Sequence, residues 1–247
     1  MYGVSVNREE EKLGGRLDES ALRPDEEQPA KPRREPLTRD RIIEAALCVL
    51  DEEGLEAVTM RRLGRELGVE AMSLYNHVQD KEDVLDGICD RVMAEFEFPA
   101  PTGDWAETCR RAARAWRRLL QAHPDVMRLF AAHRGPTRSV DSLRPMEFAL
   151  RILRDGGLSD RDTAQAFHAF GGYIQGFVMM EQGSIAGGTD EEHVKAHQEL
   201  AATLHPDEFG ALRAISPYFA ECDPDEQFEF GLDLMIEGIR ARIARSG

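Results

Sequence analysis

Nowhere in the 247 residues is there an apolar run long enough to cross a bilayer, and Met1 to Pro36 lacks the hydrophobic core of a secretory signal. A soluble, cytoplasmic protein with no membrane partner is therefore expected. Cysteine is scarce: Cys48, Cys89, Cys109 and Cys222 stand far apart and form no CxxC pair, which predicts reduced, mostly buried thiols rather than a disulfide framework. An excess of positive charge is missing too. With 31 Lys and Arg against 46 Asp and Glu, the net charge of -15 argues against a nonspecific nucleic-acid coat protein. It still permits a site-specific binder, which needs only a local basic footprint.

No GxSxG elbow, phosphate loop or dinucleotide fingerprint occurs, so an enzyme is not expected. The one metal candidate is His193 with His197, four apart on a predicted helix with Glu192 and Glu199 nearby. Val194 and Lys195 fill the places where an HExxH site would carry its acid, so a solvated polar helix accounts for the tract better. Neither a metal nor another cofactor is expected.

What the chain does contain is a run that organises the rest, Val58 to Val78, reading VTMRRLGRELGVEAMSLYNHV. Leu63 and Leu67 are one helical turn apart, as are Leu74 and Val78, so two short helices each carry an apolar stripe that can meet the other. Gly68 between them can adopt positive φ, end the first helix and let the second leave at a steep angle. The outer faces carry Arg61, Arg62 and Arg65, then Ala71, Met72, Ser73, Tyr75 and Asn76. Small, hydrogen-bonding and cationic side chains of this kind suit a DNA groove.

Thr59, Leu63, Gly68, Val69, Leu74, Tyr75, His77 and Lys81 together resemble the helix-turn-helix of the TetR family of bacterial transcriptional regulators. The resemblance implies that Arg61 reads a base, that Thr59, Tyr75 and Lys81 meet phosphates, and that His77 helps fix the recognition helix on the backbone. It places Ala71, Met72 and Ser73 at the tip entering the major groove, with Asn76 on the same face. For Tyr75, a ring buried in the small core is the competing reading. There are departures: Glu70 stands where the family most often has a capping Ser, Gly64 where it usually has Ala, and Val78 where it usually has Phe. Ala71 replaces a glutamine of the tetracycline-repressor subclass, so a different operator is implied.

The rest of the chain reads as helices. Residues 1–36 mix charges, Gly and Pro and are expected to be disordered. Lys31, Arg33, Arg34, Arg39 and Arg41 at their end form either a basic arm for DNA or a solvated tail. Residues 37–85 are expected to form the DNA-binding module. It begins with a helix after Thr38 that carries Ile42, Ile43, Ala46, Leu47 and Leu50 up to Gly54. A helix from Lys81 to about Phe96, capped by Asp80, would lead into a second domain, residues 86–247. Beyond Pro99, Pro101 and Gly103, helices are predicted over Trp105 to His123, Val126 to His133, Ser142 to Asp155, Ser159 to Gln182, Asp190 to Leu204 and Asp225 to Arg245. An irregular piece is expected near Asp207 to Phe219. The fold class is all-α: a three-helix DNA-binding domain followed by a helical bundle for ligand binding and dimerisation.

Two of these helices are apolar on more than one face, which predicts packing within the subunit and against a second copy. The expected dimer residues are Phe170, Gly171, Ile174, Phe177, Val178, Phe230, Leu234 and Gly238, and the resemblance implies the same pair of helices. A bundle with aromatic side chains and a few isolated polar groups is the usual setting for a small-molecule pocket. Its expected lining is Trp116, Phe130, Phe148, Ile152, Phe167, His168 and Gln175. Ala112 and Met180 stand where the tetracycline-repressor subclass binds its drug through Asn and Glu, and Phe130 lies near the place of its metal-binding His. A metal-chelated drug is therefore not expected.

The sequence thus predicts a homodimeric, effector-released regulator, a repressor by resemblance, on a palindromic double-stranded DNA operator, with a largely apolar effector. The alternative is a ligand-blind DNA-binding factor whose bundle holds a protein partner.

Overall fold

The computed structural model describes residues 36–132, 139–183, 191–220 and 223–246. The disorder expected for the N-terminal extension and its basic arm therefore concerns residues that lie, apart from the last few, outside those described. Helix α1 (Arg39–Glu53) starts where Thr38 Oγ1 accepts the Arg41 N–H at 3.2 Å, and it stops at Gly54 with φ 83°. Its predicted stripe of Ile42, Ile43, Ala46, Leu47 and Leu50 is buried. After a 3-10 turn at Leu55–Ala57 comes α2 (Met60–Leu67), capped by Thr59 Oγ1 on the Arg62 N–H at 3.1 Å.

Gly68 then takes φ 65°, ψ 35°, the left-handed conformation that glycine adopts without a Cβ penalty. The chain turns into α3, which is only Ala71–Leu74. The second helix is thus shorter than its apolar spacing predicts: Val78 is buried with Leu74, but residues 75–77 reach it as turns. Gly64 permits the close crossing. A Cβ there would lie 2.9 Å from the Val69 carbonyl oxygen and 3.2 Å from the Ala71 nitrogen. The departure from alanine is therefore a packing requirement and not a defect of the helix.

Helix α4 (Lys81–Ala94) is capped by Asp80 Oδ1 on the Asp83 N–H at 2.9 Å. It shares one hydrophobic core with α1, α2 and α3, built on Ile42, Leu50, Val58, Leu63, Leu74, Val84, Ile88 and Val92. Then follow α5 (Trp105–Ala122), α6 (Val126–Ala132), α7 (Arg144–Asp155), α8 (Asp160–Glu181), α9 (Glu191–Thr203), α10 (Pro206–Ile215) and α11 (Pro224–Ser246). The expected irregular piece is α10, non-helical at Phe209, followed by a 3-10 turn over Ser216–Ala220. Among the described residues there is no strand, and no helix is long and apolar enough to cross a membrane.

A second core joins α5, α7, α8 and α11 through Leu120, Ile152, Phe170, Ile174, Val178, Phe228, Leu232 and Ile236. This corrects the expected interface list: Phe170, Ile174 and Val178 are covered by their own chain. Trp116, Phe130 and Phe148 are half-buried and pack against both cores. Residues Leu37–Gly247 form one compact unit. The thiols are also less uniformly buried than expected, since Cys48 is exposed, Cys89 intermediate and Cys109 buried.

Candidate nucleic-acid interface and ligand cavity

Of the arginines expected on the outer face of α2, Arg61 and Arg65 are exposed and Arg62 is half-buried. Thr59, Arg61, Met72, Tyr75, Asn76 and His77 are exposed, while Ala71, Ser73 and Lys81 are half-buried. Met72 is 75% and Tyr75 45% exposed, so the tyrosine ring points out of the small core and does not fill it. Arg62 does not belong to this set. Its guanidinium is held by Glu53 at 2.6 Å and Glu66 at 2.7 Å, and these carboxylates raise its pKa further above the ordinary arginine value. Arg61, one position earlier on the same helix, faces solvent.

Behind this surface, α4 is clamped to α1. Arg39 donates to Asp83 Oδ1 at 3.0 Å, and the Gln79 N–H donates to Asp83 Oδ2 at 2.9 Å. At the other end, the His123 ring joins three elements, with Nδ1 3.0 Å from Asp51 Oδ2 and Nε2 3.0 Å from Glu95 Oε2. The fourteen residues of α4 span about 21 Å at the helical rise. One end lies beside the exposed helix pair, and the other, at Met93 with Phe96 just beyond it, enters the wall of a cavity.

That cavity has a volume of about 520 Å³ and lies among α4, α5, α6, α7 and α8. All seven residues expected to line a ligand site, Trp116, Phe130, Phe148, Ile152, Phe167, His168 and Gln175, are on its wall. Spacing had not revealed Met93, Phe96, Cys109, Pro145, Met146, Ala149 and Leu153, which also line it. Phe170, Gly171 and Ile174, expected at a subunit interface, are also on this wall. The signal for Met93 and Phe96 was the apolar stripe of α4, which continues through Val92 and Met93 to Phe96 just beyond the helix.

Aromatic rings dominate the wall. Trp116 lies 6.5 Å from Phe130 with planes 9° apart, and Phe96 lies 6.0 Å from Trp116 and 6.4 Å from Phe148. Among the described residues that line it there is no Asp, Glu, Lys or Arg. The polar groups are His168, Gln175, the indole N–H of Trp116 and the Cys109 thiol, which burial pushes up to about 12. Among the described residues no cluster of three His, Cys, Asp or Glu side chains that could hold a metal ion occurs, and the side chains of His193 and His197 lie outside them.

Exposed apolar residues remain on α8 and α11. Phe230 is 67% and Leu234 56% exposed, Gly238 is exposed, and Met179 and Met180 lie on α8. Phe177 is half-buried against Tyr173 and Phe228. Arg117 pairs with Glu181 and with Asp225 at 2.7 Å, and its guanidinium sits 4.7 Å above the Phe228 ring. The network joins α5, which lines the cavity, to α8 and α11.

Comparison with known proteins bears on both halves. Residues 42–88 match the model of bacterial regulatory proteins of the tetR family, and residues 98–243 match the tetracyclin repressor-like C-terminal domain. The HTH-type transcriptional repressor DrrR1 of Streptomyces coeruleorubidus is 32% identical over 217 residues, 85% of this chain and 79% of the relative. The tetracycline repressor protein class A from transposon 1721 of Escherichia coli is 31% identical over 209 residues, 81% of this chain and 89% of its own. Among solved structures, apo ActR from Streptomyces coelicolor superposes with a TM-score of 0.74 at 33% identity, covering 86% of this chain and 99% of that one. Its complex with actinorhodin gives 0.73 at 33% identity, covering 85% and 99%.

Proposed function

The chain belongs to the TetR family of bacterial regulatory proteins, and on that premise we propose a homodimeric transcriptional repressor that a neutral, largely apolar effector releases from a palindromic operator. The observation that carries the reading is the placement of Trp116, Phe130 and Phe148. These rings line the cavity and at the same time pack against the core that holds α1 to α4. An effector between them has to press on the element that ends beside the recognition helix.

DNA recognition would use Arg61 on a guanine edge, Thr59, Tyr75 and Lys81 on phosphates, His77 and Asn76 beside them, and the tip Ala71, Met72 and Ser73 in the major groove. We take the DNA-binding part as 37–85 and the sensing part as 86–247, so that α4 belongs to both. The second copy would pack on Phe230, Leu234 and Gly238, with Phe177 and Gly171 contributing at the edge, because this is the large apolar face that α8 and α11 leave uncovered. Dimer half-sites must lie about one helical turn, roughly 34 to 36 Å, apart. A shift of a few Å at α4 would therefore break register. A regulator acting on a bacterial operator works in the cytoplasm, and nothing in the reading requires an enzymatic step.

The effector class rests on the uncharged wall and on the relative solved with actinorhodin. Ala112 and Phe130, both on the wall, offer neither a hydrogen bond nor a metal ligand. The test is a thermal-shift screen of neutral aromatic compounds, followed by operator release. A ligand at a hundred times its Kd stabilises by about 2.7 kcal/mol, worth roughly 5 to 10 °C for a chain of this size. Compounds that raise Tm should lower operator binding, and Trp116→Ala should abolish both effects. Stabilisation that survives Trp116→Ala would locate the ligand elsewhere.

A further inference from the structure

His123 stands at the joint between α5 and α6, midway in sequence between two cavity residues, Trp116 on α5 and Phe130 on α6. Its backbone is part of that joint: the N–H donates to the Leu119 carbonyl at 3.2 Å, and the carbonyl accepts the Val126 N–H at 3.1 Å. The residue is only 9% exposed. Each ring nitrogen meets a carboxylate from a different helix of the DNA-binding unit, Nδ1 that of Asp51 on α1 and Nε2 that of Glu95 at the end of α4, both at 3.0 Å. Two further charged pairs stand around it. Arg91 of α4 lies 3.6 Å from Glu95, and Asp125 on the turn into α6 lies 3.6 Å from Arg128 and close to Gly54 at the end of α1.

An ionised carboxylate accepts hydrogen bonds and donates none, and a neutral imidazole carries a single N–H. Both contacts are therefore made only while the ring is protonated on both nitrogens. A neutral ring keeps one carboxylate and turns a lone pair on the other. Glu95 has Arg91 to fall back on, so the contact to the end of α4 is the one given up. Histidine is the side chain whose charge ordinarily changes between about pH 5 and 8. We propose that His123 is a proton-binding site that couples the sensing helices to the DNA-binding unit. Its imidazolium ties the α5–α6 joint to α1 and α4 together in the operator-holding arrangement, and loss of the proton frees the end of α4. This rests on the repressor reading above, in which an effector between Trp116 and Phe130 moves the same joint. Proton and effector then oppose each other, as two ligands of one equilibrium can. The tie is present at low pH and lost as pH rises.

The experiment uses the purified full-length chain as wild type, His123→Gln and Glu95→Gln. Tm and affinity for a duplex selected from random DNA are measured from about pH 6 to 8.5, the upper part of the range in which histidine changes charge. His77 on the DNA face has its own pH dependence, so each variant is compared with wild type at the same pH. Relative to His123→Gln, wild-type affinity should fall on the order of tenfold across the range, the lower end of what a hydrogen bond to a charged group contributes. The Tm difference between the two should close over the same interval. Glu95→Gln supplies an amide, which accepts from a protonated ring nitrogen and donates to a neutral one. It should therefore hold the low-pH affinity up to the top of the range, a rescue that a merely structural histidine would not give. Because Glu95 is partly exposed, this variant decides the matter even where His123→Gln fails to fold. An affinity ratio that does not change with pH overturns this inference alone, whether or not the Tm difference closes, and so does a Glu95→Gln profile that falls like that of wild type. A wild-type chain that enriches no sequence overturns the DNA-binding reading and this inference with it.

Discussion

Single residues at the helix pair carry opposite demands, and magnitudes decide between them. Alanine is the better helix former, by roughly 1 kcal/mol over glycine. At Gly64, however, a Cβ would press on backbone of Val69 and Ala71, which cannot swing aside as a side chain can. Overpacking costs about 1 to 3 kcal/mol, so Gly64→Ala should lower stability in a denaturant titration and weaken operator binding as α3 is pushed away. Arg61→Ala should cost on the order of 1 to 3 kcal/mol on cognate DNA and erase preference at one base position. Arg62→Ala should leave that preference in place, since Arg62 is engaged by Glu53 and Glu66. Selection with each variant separates the two arginines. The thiols give a further check. Burial, with Asp86 and Asp90 adding to it at Cys89, holds Cys89 and Cys109 up to about 12. Hardly any thiolate exists on either at pH 8. Maleimide should therefore label exposed Cys48 well before them, and a cavity ligand should slow Cys109 further.

Among the elements, α4 has the most specific task, and its anchor at Asp83 can be tested. Removing that buried carboxylate unpairs Arg39 and leaves the Gln79 N–H without its acceptor. Asp83→Ala should cost about 1 to 3 kcal/mol in stability, and operator binding should fall with it; a variant of unchanged stability would show that α1 and α4 do not depend on this clamp. Helix positions were legible in the sequence because each apolar stripe keeps the helical period, and the starts of α1, α2, α4, α5 and α8 carry the capping side chains Thr38, Thr59, Asp80, Asp104 and Ser159. The shortness of α3 was not legible, since Leu74 and Val78 satisfy that period whether the residues between them are helix or turns. Nor could spacing say what covers a stripe. Phe170 and Ile174 have the pattern of an interface, but their own chain's α5, α7 and α11 cover them. The cavity aromatics were legible because a bundle has few other places for them, whereas Met93 and Phe96 depended on how far α4 projects.

For the molecule as a whole, effector and operator are linked through one equilibrium, so each must change the other's affinity by the same factor. Coupling of this kind is typically 5- to 150-fold. The long-range ties that would transmit it are the rings shared by the two cores, the His123 bridge and the α4 clamp, all within one compact unit. The most direct test measures operator affinity with and without a compound that binds the cavity, and then the compound's affinity with and without operator. The account predicts that both affinities fall by the same factor, within that range, and that Trp116→Ala removes the effect. A compound that binds the cavity in a Trp116-dependent way while operator affinity stays unchanged would contradict it.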